Sequence, residues 1–373
     1  LNAATGAQIT NGDSISLIVT SGAAANGNTA VIGSSFILAD KGDVANAGEA
    51  VNAMDNSKGS FVFAKDNDVL YIDMDGDSTL NTDDYAFTLT GLDSFHGADI
   101  DVTVSGDEAD DTTITTLDGN DTITTGTGAD IITSGGGADI IVAGNGANVI
   151  KAGAGNDIIT SGTGIQTIDA GAGNDSITVG ATGDHVLTPG TGDDSIILTA
   201  LVAKTEKTIV KDFEDAGTTV GDVITLGTAN SSLAGTTLNT TTFKTVAISQ
   251  LGAAATYDLE TPLDTSTFHI IELTGGNETT AVLATDFGAN ENGGELLKLL
   301  GVAGQAAQSI TVDADHDFLV IAYDDGDAFI YNVEPGNADG VAVIGEITPL
   351  VWLDSTGGTI VNGSLDVTDF LLA

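Results

Sequence analysis

Between Thr116 and Ile197 an aspartate returns every nine residues, behind a Gly-x-Gly turn and ahead of a short β-branched run. The clearest copies are Gly153-Ala-Gly-Asn-Asp157-Ile-Ile and Gly171-Ala-Gly-Asn-Asp175-Ser-Ile. Carboxylates at a fixed interval beside glycine-rich turns suit one kind of chemistry. They offer oxygen donors to a hard cation, together with backbone carbonyls that glycine turns can aim. Such a set has no nucleophile and no general base matched to a substrate, so it points to binding rather than catalysis.

Aligned on the acidic position, the series runs Asp121, Asp130, Asp139, Asn148, Asp157, Gln166, Asp175, Asp184. A one-residue insertion near Thr188-Pro189 is then needed to bring Asp194 into line. Two residues later lies an apolar ladder: Ile114, Ile123, Ile132, Ile141, Ile150, Ile159, Ile168, Ile177, Val186 and Ile196. It starts one repeat before the aspartates, so Asp107–Thr115 reads as a degenerate first turn. The pattern resembles the Gly-Gly-x-Gly-x-Asp-x-U-x repeat of RTX (repeats-in-toxin) proteins, which bind Ca²⁺ in a parallel β-roll. The resemblance implies that each nonapeptide makes half a turn and that repeats two apart stack on one edge. Ca²⁺ would then lie between stacked turns. One edge carries Asp121, Asp139, Asp157, Asp175 and Asp194 without a break. The other carries Asp130, Asn148, Gln166 and Asp184, with both interior members neutral. The expectation is a metal-rich edge and a sparse one, the neutral edge relieved of carboxylate repulsion and held by stacked side-chain amides.

A second candidate metal site precedes the repeat. In Asp73-Met-Asp75-Gly-Asp77-Ser-Thr-Leu80-Asn-Thr-Asp-Asp84 the acids fall at loop positions 1, 3, 5 and 12, the spacing of an EF-hand loop. Ser78 stands where that loop has Gly, and Asp84 where it has Glu. The flanks, Val69–Ile72 and Tyr85–Leu89, read as strands. The alternatives are a strand-flanked calcium loop and an ordinary acidic turn.

The remaining chain must hold these donors. Ser14–Thr20 and Thr29–Leu38 read as strands, Asp43–Met54 as a helix with Asp43 as N-cap, and Ser60–Ala64 with Asp68–Ile72 as a strand pair. After the repeat, Ile209–Phe213 and Gly221–Leu226 resemble the segment that closes RTX rolls, covering the open end of the apolar ladder. Ser266–Leu273, Ser309–Val333 and Ala342–Leu353 read as strands and Gly294–Gly301 as a short helix. Asp66–Asp77 parallels Asp315–Asp327, which suggests two related flanking modules, the second with Ala322 in place of Asp73. The fold expected is all-β: residues 1–106 a β-rich domain, 107–200 the roll, and 201–373 the closing segment with a second β-rich domain.

Composition narrows the function. The chain of 373 residues has 54 Asp+Glu against 9 Lys+Arg, a formal charge of −45. Such a surface repels nucleic acid and anionic membranes and attracts cations. With 41% hydrophobic residues it is folded rather than disordered. Cysteine is absent, so bound metal is the available staple for an extracellular chain. No apolar run is long enough for a membrane-spanning helix. The chain begins Leu1-Asn-Ala-Ala, without an initiator Met or signal core, and reads as a fragment or processed product. Its end, Leu365-Asp-Val-Thr-Asp-Phe370-Leu-Leu-Ala373, resembles the carboxyl-terminal signal of type I secreted RTX proteins. Gly12-Asp-Ser14 and Asp313-x-x-His316 imitate a hydrolase block, but no alternating β/α pattern lies between them. The four His are scattered, and His185 reads as an outward, exposed repeat position. With no catalytic motif, the chain most resembles a type I secreted bacterial surface-layer protein. That resemblance implies a secreted Ca²⁺-dependent homo-oligomer or lattice, with cell-surface polysaccharide as a further candidate partner. A fragment of an RTX adhesin and the non-catalytic part of a secreted hydrolase are the alternatives.

Overall fold

In Asn148–Ala154 the first, third and fifth residues are buried and those between are exposed, as a half-buried pleated strand requires. The same alternation recurs through the repeat, and the nine-residue interval sets successive strands in opposite walls of a solenoid. This computed structural model describes residues 2–7, 15–20, 35–37, 39–45, 60–64, 69–73, 85–89, 100–105, 111–180, 182–199, 208–214, 221–227, 237–238, 244–247, 256–258, 267–274, 309–311, 318–324, 327–333, 347–354, 365 and 369–372. The class is all-β, with a parallel solenoid from Thr113 to Leu198. No α-helix occurs among the described residues. Two compact units, Leu1–Ser176 and Ile177–Ala373, divide the chain inside the repeat.

The first unit holds two parallel walls of the roll. One contains Thr122–Thr124, Ile140–Gly144 and Ile158–Ser161; the other contains Thr113–Thr115, Ile131–Gly136, Asn148–Ala154 and Gln166–Ala172. Neither stops at residue 107. Ile100–Ser105 and Ile15–Thr20 extend the first wall, and Ser35–Ile37 extends the second. Ile114, Ile123, Ile132, Ile141, Ile150, Ile159 and Ile168 fill the interior, each buried. A second inward column, two residues further on, holds small side chains: Thr116, Ser134, Ala152 and Ala170 in one wall, Thr125, Ala143 and Ser161 in the other. The hydroxyls of Thr116 and Ser134 donate to the carbonyls of Ser134 and Ala152 at 2.8 and 2.9 Å, so these buried polar groups are satisfied.

A separate five-stranded sheet in this unit is built on the Ser60–Ala64 and Val69–Asp73 hairpin, with Tyr85–Leu89 antiparallel to the latter. Asn2–Ala7 and Ala39–Val44 add as parallel edges. The helix expected from Asp43 does not start there. Asp43 and Val44 pair with Phe63 and Ala64, and this long-range ladder overrides the local helical pattern. Residues 46–54, and the helix expected at 294–301, lie outside the described residues.

In the second unit His185–Thr191 pairs with Thr208–Lys211, which pairs in turn with Ile347–Asp354. Ile347–Asp354 continues antiparallel to Asp327–Val333, and that strand to Phe318–Asp324. Ser195–Leu198, Val223–Leu226 and Phe370–Leu372 form a second parallel set. The segments 209–213 and 221–226 therefore continue the sheets, and strands from the carboxyl end cover them. Trp352 stacks on Phe329 with centroids 5.6 Å apart and donates through Nε1 to Asp327 Oδ2 at 3.0 Å. The paralleled segments share a central buried strand, Val69–Asp73 and Phe318–Asp324, and Asp73 and Ala322 are both buried. Their pairing differs: Val69–Asp73 is antiparallel to both neighbours, whereas Phe318–Asp324 is parallel to Thr267–Thr274.

The register of the repeat breaks earlier than Pro189. His185, Leu187 and Pro189 are the buried residues of their strand, as Gln166, Ile168 and Ala170 are of theirs. The extra residue thus falls between Val179 and His185. Asp184 is exposed and Val186 half-buried, so His185 and Leu187 occupy the ladder positions expected for them. Aspartate in the sequence alignment disguised a histidine in the structure.

Candidate metal centre

The intact acidic edge is built from side chains that turn back along the stack. Each aspartate opens its strand, so its amide needs an acceptor from another turn. Asp121 donates to Asp139 Oδ1, Asp139 to Asp157 Oδ1 and Asp157 to Asp175 Oδ1, each at 2.8 Å. Every step crosses 18 residues, two nonapeptides. All four carboxylates are buried. In the second unit Asp194 donates in the same way to Asp222 Oδ1 at 3.0 Å, and Glu214 donates to Asp222 Oδ2 at 2.7 Å.

The ladder uses only half of each interior carboxylate. Oδ2 of Asp139 and Asp157 on this edge, and of Asp130 on the other, is buried with no hydrogen-bond partner among the described residues. Burial pushes Asp139 up to about 7, and the carboxylates of Asp121 and Asp157 add to it against the hydrogen bond from the Asp121 amide. Burial likewise raises Asp157, against the hydrogen bond from the Asp139 amide. Asp222 also reaches about 7, through burial first, with Asp194 and Glu214 adding to it. A stack of desolvated carboxylates near neutrality accepts either a proton or a cation, and a divalent ion relieves both burial and repulsion.

Ca²⁺ fits this donor set. Among the described residues no three His, Asp or Glu side chains gather at one point. The ladder supplies carboxylates rung by rung, and turn carbonyls must complete any oxygen shell. The turns are built for that approach. Gly155 has φ +134° and a Cβ there would overlap the Gly137 carbonyl, so only glycine lets the turns stack so closely.

The other edge answers the same carbonyls differently. Asp130 donates to Asn148 Oδ1 at 2.9 Å, which keeps the ladder. Asn148 Nδ2 donates to the Ala143 carbonyl at 3.0 Å, and Gln166 Nε2 to the Gly146 carbonyl at 2.9 Å. In the second unit His185 Nε2 donates to the Gly180 carbonyl at 3.2 Å. Side-chain N–H groups thus sit on turn carbonyls, rather than amides stacking on one another.

Of the residues singled out in the sequence, Asp121, Asp139, Asp157 and Asp175 form one continuous row. Asp130 stands on the opposite edge, Asp194 pairs with Asp222, and Asp184 points to solvent, outside both rows. Asp73 is a buried strand end, while Asp75, Asp77 and Asp84 lie outside the described residues. Asp222 was missed because 28 residues separate it from Asp194. Its signal was present: Gly221-Asp222-Val-Ile224-Thr-Leu226 repeats the Asp194-Ser-Ile196-Ile-Leu198 pattern.

Comparison with known families identifies the repeat itself. Residues 105–141, 115–150, 133–165 and 152–186 match the RTX calcium-binding nonapeptide repeat, in four copies. The repeat is therefore of the calcium-binding kind and its fold an RTX β-roll. No curated protein matches the chain.

Proposed function

We propose that the chain is a secreted, Ca²⁺-dependent structural protein, a self-assembling surface-layer subunit rather than an enzyme. The observation that carries the reading is the buried row Asp121, Asp139, Asp157 and Asp175, whose interior members keep an Oδ2 without a hydrogen-bond partner among the described residues. Ca²⁺ held by Asp121, Asp139, Asp157, Asp175 and Asp194 would supply the charge neutralisation that lets the rungs close. Folding and ion uptake then form one event. Inside a cell, where free Ca²⁺ is scarce, the row stays repulsive and loose; outside, it closes. That sequence suits passage through a type I secretion channel, with Leu365–Ala373 as the candidate signal. The acidic charge, absent cysteines and lack of a catalytic motif support a structural role. Cell-surface polysaccharide is the proposed anchor.

Electron microscopy of the full chain with Ca²⁺ and with a chelator tests the assembly. Ordered sheets that form with Ca²⁺ and disperse on chelation are expected. A Ca²⁺-folded monomer that binds a glycan or surface ligand would instead identify an adhesin fragment. A catalytic domain elsewhere in the full reading frame would identify a secreted hydrolase.

A further inference from the structure

Of the asparagines between Asp107 and Ala200, only Asn145 is followed by glycine. An Asn–Gly pair is open to attack by the backbone amide on the side chain before it, because glycine has no Cβ to shield its nitrogen. The roll nevertheless demands glycine at 146. Its φ is +129°, and a Cβ there would overlap the Gly128 carbonyl. The stacking that builds this turn therefore also builds in a labile bond, at an exposed asparagine.

In the folded turn both partners of that attack are held across the stack by Thr163. Asn145 Oδ1 accepts from the Thr163 amide at 2.8 Å and from its hydroxyl at 3.0 Å. The Gly146 N–H, which must lose its proton to attack, donates to the Thr163 carbonyl at 2.8 Å. The Gly146 carbonyl accepts from Gln166 Nε2 at 2.9 Å, and the Gly162 amide donates to the Gly144 carbonyl at 2.6 Å. Asn120 and Asn156 also accept amides, from Ala138 and Asn174 at 2.7 and 2.9 Å, but each precedes an aspartate.

We infer that Asn145 is a site of spontaneous modification, which the closed roll protects and the open chain exposes. The Gly146 nitrogen bonds to Asn145 Cγ and closes a succinimide ring, and Nδ2 leaves with the displaced proton as ammonia. Water then opens the ring at either carbonyl and leaves aspartate or isoaspartate. Isoaspartate routes the main chain through the side-chain carbon and lengthens it by a methylene. The backbone groups of Gly144 and Gly146 then no longer meet Gly162, Thr163 and Gln166 in register. A chain kept without Ca²⁺ thereby loses the capacity to close this turn. The inference rests on the coupling of folding to Ca²⁺ proposed above, and not on assembly.

The full chain is held in mildly alkaline buffer with Ca²⁺ or with a chelator, then digested in acid so that digestion adds no conversion. Mass spectrometry of the peptide spanning Asn145, with isoaspartyl methyltransferase labelling, reads aspartate and isoaspartate; circular dichroism reads the fold. Conversion at Asn145 should be about tenfold or more slower in Ca²⁺. After the chelator incubation, added Ca²⁺ should recover less dichroism in the parent than in Asn145→Ser, which cannot form the ring. The Asn–Gly pairs at Asn11, Asn26, Asn292 and Asn362 are common to both chains and cancel in that comparison. Equal conversion in the two conditions, with a Ca²⁺-dependent fold, overturns the protection and leaves coupled folding standing. Equal recovery of the two chains, once the parent has converted, overturns the effect on closure. Dichroism that Ca²⁺ does not change overturns coupled folding as well. Should Asn145→Ser fail to fold, conversion in the parent still decides.

Discussion

The backbone amide of Asp139 donates to Oδ1 of Asp157 at 2.8 Å, across 18 residues of sequence. One carboxylate oxygen therefore belongs to the fold and the other is left for a cation. Substitutions at Asp157 separate the two. Asp157→Asn keeps the acceptor and removes the charge, so the metal-free protein gains stability while the Ca²⁺ midpoint moves to higher concentration. Asp157→Ala strands the Asp139 amide and costs roughly 1–3 kcal/mol in either condition. Denaturant melts with and without Ca²⁺ measure both.

Asn148→Asp should move the neutral edge toward the acidic one. It places a carboxylate between Asp130 and Gln166 and deletes the donor to the Ala143 carbonyl. The metal-free variant is less stable than the parent, and calorimetric titration finds Ca²⁺ binding that the parent lacks. An unchanged stoichiometry would show that this edge cannot take an ion.

Gly155→Ala tests the turn stacking. The φ of +134° costs a side chain roughly 1–3 kcal/mol, and the overlap with the Gly137 carbonyl adds to it. Loss of the Ca²⁺-induced dichroism is expected at Ca²⁺ concentrations that fold the parent.

The pH dependence of the metal-free protein follows from the raised pKa values. Asp139 and Asp222 titrate near 7 in the fold and near the ordinary 3.9 when unfolded. The folded state therefore holds its protons more tightly. Their contribution to stability is greatest below about pH 4 and falls as pH rises from there to about 7. Calcium reverses the preference, because protons compete for the same oxygens: affinity falls as pH drops through 7. Thermal melts across this range, with Ca²⁺ and with chelator, should slope in opposite directions.

The roll was legible because its signal is strictly periodic: the Ile114 to Ile177 ladder and the row Asp121 to Asp175 fall where nine-residue counting puts them. Counting failed where the period did. One extra residue before His185 made Asp184 look like a ligand, and the long excursion before Asp222 concealed the acceptor of the Asp194 amide. The helix expected at Asp43 failed for another reason, since its strand partner Phe63 lies 20 residues on and leaves no local trace. The inward column of Thr116, Ser134 and Ala152 was also unseen, because small residues carry little hydropathy signal.

The most direct test compares Ca²⁺ stoichiometry in the full chain with that of Asp157→Asn and Asp130→Asn by titration calorimetry, with dichroism reading the fold. Asp157→Asn should lose bound ions and shift the folding midpoint upward, while Asp130→Asn, on the edge held by side-chain N–H groups, should bind as the parent does. Equal loss in the two variants, or folding of the roll without Ca²⁺ uptake, would contradict a roll set by one acidic edge.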